Sequence, residues 1–143
     1  MVRTIFATMV AMALAVEMSA ECPAPLPPCE ALVRSSIVFV GDVASAGPTT
    51  ERTGPNTFRS MPHQPVRFRV VERFKGLRRD EPAQLDASVS LLSTEAVSFV
   101  ADRRYIVYAR VQSDGKWSTI CSRTGTLEQR PDDVRELRAC TPR

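Results

Sequence analysis

Four cysteines, one histidine and two pairs of neighbouring carboxylates are the places where this chain could do chemistry. Cys22, Cys29, Cys121 and Cys140 could form disulfides or offer thiolates to a metal. A zinc site wants closely spaced ligand pairs, but neither cysteine cluster has C-x2-C spacing and His63 has no second histidine to join it. An even cysteine count in an exported chain reads instead as two disulfides, with the pairing left open. The two clusters lie near opposite ends, so an end-to-end bond would close a loop of about 100 residues. The chain-entropy model values that at about 4.7 kcal/mol before native strain is subtracted.

Catalysis finds little to work with. A nucleophile needs a base beside it, and His63 stands in the Pro-rich stretch between Gly47 and Pro65, where it reads as an ordinary loop residue. The sequence has no H-E-x-x-H zinc motif, no P-loop and no glycine-rich dinucleotide turn. Asp80-Glu81 and Asp132-Asp133 each neighbour a proline, in turn and cap settings where carboxylates serve structure. The expectation is a non-enzyme with no catalytic residue, no metal ligand and no cofactor.

The elements that must hold the cysteines are mostly strands. Pro23 to Pro28 should lie extended over the surface, and Cys29 to Arg34 suits a short helix. Ile37 to Val43 is a compact, β-branched run that reads as a buried strand. Gly47 to Pro65 reads as one long, mobile loop in which specificity could reside. Val66, Phe68 and Val70 alternate with Arg67 and Arg69, and the slip at Val70-Val71 predicts a β-bulge before the Lys75-Gly76-Leu77 turn. Ala83 to Leu92 is a weaker strand. Arg104 to Val111 is a strong one, and Ser113-Asp114-Gly115-Lys116 turns it into a partner over Trp117 to Cys121. Pro131-Asp132-Asp133 opens a short C-terminal helix whose Val134 and Leu137 share a face. The predicted fold is all-β with that one late helix, a small five-stranded barrel or sandwich.

Ahead of this lies a leader. Arg3, the uncharged run Ile5 to Val16 and the small residues Ser19-Ala20 are the parts of a signal peptide over residues 1–20, leaving a domain over 21–143. The apolar run is shorter than the roughly 20 residues needed to span a bilayer, so stable membrane insertion is not expected. The net charge is +3, and the arginines are spread through strand-like segments and turns, as on a solvated face. No nucleic-acid partner is expected.

Three stretches, taken in order, resemble the netrin-like module, the OB-fold barrel shared with tissue inhibitors of metalloproteinases and with exported bacterial proteins of unassigned role. They are Cys22-Pro23-Ala24-Pro25 through Ile37-Val38-Phe39-Val40-Gly41; Val66-Arg67-Phe68-Arg69-Val70 through Phe74-Lys75-Gly76; and Arg104-Tyr105-Ile106-Val107-Tyr108-Ala109 through Cys121-Ser122-Arg123-Thr124. The resemblance implies a five-stranded Greek-key barrel and the disulfides Cys22–Cys121 and Cys29–Cys140. Relatives often open with C-x-C, whose first cysteine has its own partner; here those two positions are Ala20 and Glu95. In the animal inhibitors that first cysteine chelates the protease zinc through its amine and carbonyl. This chain would begin at Glu21 instead, so the partner contact implied for Glu21, Cys22 and Pro23 lacks that covalent anchor. The functional expectation is a secreted or periplasmic module that binds another extracytoplasmic protein, with protease inhibition as a special case. The alternative is a ligand- or oligonucleotide-binding OB-fold of the cell envelope.

Overall fold

The computed structural model describes residues 22–142, so the leader reading and Glu21 lie outside the described residues. The first strand, β1 (Ile37–Ala46), has two buried faces. Ile37, Phe39 and Val43 enter the main core, whereas Val38 and Val40 belong to a second apolar cluster. Burial on both sides is why this segment reads as a nearly continuous apolar run.

The barrel closes through five strands. β1 pairs antiparallel with β4 (His63–Lys75), and β4 with β5 (Gln84–Ser90). β5 meets β7 (Trp117–Ser118) in parallel at Val89 and Trp117, β7 pairs with β6 (Arg104–Val111), and β6 returns to β1. A short β8 (Gly125–Thr126) lies against β6 at Tyr105 and Ile106. The expected barrel is thus present.

The bulge expected at Val70-Val71 is there. Val40 opposes Glu72 while the next residue, Gly41, opposes Val70, so Val71 is the extra residue and turns outward, 47% exposed. A second slip skips Phe74, whose ring packs with the second cluster.

Inside, aromatic rings carry much of the packing. Phe68 meets Phe39 edge-on at 5.2 Å, meets Phe99 likewise at 5.2 Å, and stacks on Trp117 at 6.1 Å. Each such pair contributes about 0.5–1.5 kcal/mol beyond simple burial. Outside, helices α1 (Pro28–Arg34) and α2 (Asp133–Cys140) touch each other and cover the second cluster through Ala31 and Leu137. Disulfides Cys22–Cys121 and Cys29–Cys140 tie the chain ends together, with the pairing that the family resemblance implies. Such bonds belong to an oxidising, extracytoplasmic environment. Among the described residues no helix is long and apolar enough to cross a membrane.

Two sequence expectations are corrected. Residues 47–65 are not one long loop: they hold a two-stranded hairpin, β2 (Thr50–Gly54) and β3 (Thr57–Ser60), and β4 has already begun at His63. The polar, threonine-rich composition that suggested a loop is that of strands exposed on both faces. The strand expected over Trp117 to Cys121 stops at Ser118, because the following segment leaves the sheet to make the contacts described next.

Candidate partner-binding surface

The amino-terminal segment has a rigid base. Cys22 is bonded to Cys121, Arg123 Nη1 donates to the Leu26 carbonyl at 3.2 Å, Pro28 opens α1, and Cys29 is bonded to Cys140. Between these anchors Pro23, Ala24, Pro25, Leu26 and Pro27 are exposed. Proline fixes φ and cannot join a ladder, so an exposed, pre-ordered ridge results. Of the residues implied for partner contact, Pro23 is exposed on this ridge, Cys22 is half-buried at its base, and Glu21 lies outside the described residues.

The segment Cys121-Ser122-Arg123-Thr124 holds the ridge by a buried polar network. Thr124 Oγ1 accepts from the Tyr108 backbone N–H at 2.8 Å and donates to the Tyr108 carbonyl at 3.0 Å, standing in for a strand ladder. Cys121 takes a positive φ of 52°, which turns the chain here. Arg123 Nε and Nη2 donate to the two Asp133 oxygens at 2.7 and 2.8 Å, and the Tyr108 hydroxyl donates to Asp133 Oδ2 at 2.8 Å. Burial, and then the bond to Asp133, push the Tyr108 hydroxyl far above its ordinary range. The Asp133 carboxylate also raises Arg123, holding the guanidinium charged.

Asp133 corrects the sequence reading. It is 1% exposed and centres this network, while Asp132 occupies the N-cap position without a side-chain cap bond. The signal was in the spacing: Asp133 stands four residues before Leu137, on the same helical face. Gln64 is a similar case, two residues before Val66 on the inward face of β4. Its amide bonds the Phe99 N–H and carbonyl and the Gly47 carbonyl, all within 3.0 Å.

The β2–β3 hairpin is the other prominent surface. It is held by Arg59, whose Nε and Nη2 both donate to Glu51 Oε2, and by the Met61 N–H to Thr49 carbonyl bond. Phe58, opposite Arg52, is 64% exposed and is the one aromatic among the exposed large apolar side chains of the described residues. The fold does not bring hairpin and ridge together. The hairpin follows Ala46 at one end of β1, whereas the ridge's anchor packs on Tyr108, the partner of Val38 near the other end.

His63 is half-buried in β4 and not in a loop; its Nδ1 and the Oγ of Ser90, opposite it on β5, are both buried without hydrogen-bond partners. Among the described residues no three of His, Cys, Asp or Glu gather to hold a metal ion. No protein-family model matches the chain, and a search of curated proteins returns no match.

Proposed function

We propose that this chain is an exported, non-enzymatic module of the netrin-like type that binds another extracytoplasmic protein, its leader being residues 1–20. The observation that carries the reading is the exposed ridge Pro23–Pro27, held between two disulfides and the Arg123 contact. A surface ordered in advance loses less conformational entropy on association. The hairpin, with Phe58 toward solvent, offers a second contact on the same barrel. The oligonucleotide alternative has less support. Stacking platforms need exposed rings in a basic groove, and Phe39, Phe68 and Tyr105 are all buried in the core.

The test uses protein lacking residues 1–20, disulfides intact, cross-linked in the secreted or periplasmic fraction of its own cells. A partner should be recovered, bind the purified protein in equimolar complex, and lose at least tenfold affinity with Phe58→Ser or Pro23→Glu. Repeated failure to recover such a complex, or indifference to both variants, overturns the reading. Inhibition of zinc proteases is tested separately at micromolar protein, and undiminished protease activity removes that special case.

A further inference from the structure

A cleft of about 180 Å³ opens between α1 and β6, beside Cys121 and under the ridge residue Leu26. Three arginines line it: Arg34, Arg110 and Arg123. Arg123 is neutralised by Asp133, but among the described residues the guanidiniums of Arg34 and Arg110 have no ion-pair or hydrogen-bond partner, and no carboxylate lines the cleft. Many arginines elsewhere on the barrel are neutralised, since Arg69 and Arg104 share Asp42, Arg67 pairs with Asp86, Arg59 with Glu51 and Arg138 with Glu72. The last turn of α1 gives Arg34 a structural reason for its charge, since cations suit a helix C-terminus. Arg110 stands at the exposed end of β6. Two guanidiniums facing one small cleft with no carboxylate in its lining give it a positive potential suited to an anionic group.

Resting on the protein-binding reading, we propose that this cleft receives a carboxylate side chain, a glutamate or aspartate on an acidic segment of the protein partner. Guanidinium forks match a carboxylate in geometry as well as in charge. Leu26 and Ala31 supply apolar lining for the methylenes that precede it, and the volume suits one side chain. The cleft lies at the foot of the ridge, so a partner lying along Pro23–Pro27 would place such a residue within reach.

The experiment follows the Arg Nε–Hε resonances of the oxidised protein by NMR while a capped peptide of alternating glutamate and glycine is added. Arg34 and Arg110 should shift together, with binding that weakens as salt rises. The matching glutamine–glycine peptide should leave them unmoved, and Arg34→Gln/Arg110→Gln should bind the acidic peptide at least tenfold more weakly. Neither arginine makes a contact that the fold depends on, and unchanged thermal unfolding of the double variant verifies this. Equal binding of the glutamine peptide, or undiminished binding by the double variant, overturns the proposal. Inorganic phosphate that binds there more tightly than the peptide would also overturn it, assigning the cleft to a phosphate instead. If the double variant still captures the partner at wild-type affinity, the cleft assignment fails while the protein-binding reading stands.

Discussion

Replacing Asp133 with asparagine isolates the buried charge that ties α2 to the Cys121–Thr124 segment. The carboxylate accepts from Arg123 Nε and Nη2 and from the Tyr108 hydroxyl, all within 2.8 Å. Asparagine has the same shape, but its NH2 group must face a guanidinium N–H whichever way the amide turns, and Arg123 loses its counter-charge. Removing one partner of a buried pair costs about 3–5 kcal/mol. The Arg123 side chain keeps 20% of its exposure, so water offsets part of this and about 2–4 kcal/mol is expected. For a domain of this size that corresponds to a fall in Tm of roughly 8–15 °C. Tyr108→Phe removes one hydrogen bond and leaves the Arg123–Asp133 pair intact, so it should cost only about 1–2 kcal/mol. Arg123→Met combined with Asp133→Leu removes both charges and should be less damaging than Asp133→Asn alone. Urea and thermal unfolding of oxidised protein measure all three. An Asp133→Asn variant within about 1 kcal/mol of wild type, or one less damaged than Tyr108→Phe, refutes the network as the tie.

Two further predictions concern turns and acid. Gly76 has φ 76° and a Cβ there would run into the Ser36 carbonyl, whereas Gly115, with φ 81°, has open space around it. Gly76→Ala should therefore cost roughly 2–4 kcal/mol and Gly115→Ala only about 1 kcal/mol, and equal losses in denaturant unfolding would remove the clash from the explanation. Asp42 is held at about 2 by its hydrogen bonds from Arg104 and then Arg69. A carboxylate depressed in the folded state stabilises above its unfolded value of 3.8, and that stability is lost as pH falls towards 2. Both arginines are about half or more exposed, so screening leaves about 1 kcal/mol. Asp42→Asn should then be less stable than wild type at pH 6 but equal to it near pH 2. A gap that persists in acid contradicts the assignment.

The barrel was legible because β4 carries a period-2 signal and β1 and β6 are compact β-rich runs, signals that need no tertiary context. Arg67 and Arg69 alternate with Phe68 and Val70, and the slip at Val71 marked the bulge correctly. The hairpin was not legible, since Thr50–Gly54 and Thr57–Ser60 bury no face and so leave no apolar alternation to detect. Asp133 and Gln64 were missed for other reasons: Asp133 was assigned with Asp132 to the start of the last helix and Gln64 fell in the stretch read as a loop, although their spacing from Leu137 and Val66 puts them on buried faces. The Arg34–Arg110 cleft could not be anticipated, because α1 meets β6 only through the tertiary fold.

The segments that carry the family resemblance hold chain ends and helices against the barrel. Lys75 Nζ donates to the Leu32 and Val33 carbonyls at 3.0 and 3.1 Å, capping α1, and Gly76 supplies the turn beneath it. Arg123 and Thr124 fasten the ridge, the α2 carboxylate and the Tyr108 backbone. The motifs are therefore fixtures of the barrel, each required to seat a helix or a chain end on the outer face of β1 and β6. Such duties serve the scaffold whatever the barrel binds. The proposed contacts rest on residues outside those fixtures: Phe58 on the hairpin, Pro23 on the ridge, and Arg34 with Arg110 in the cleft. A protein that kept Lys75, Gly76, Arg123 and Thr124 but exchanged those four should fold as this one does and bind something else.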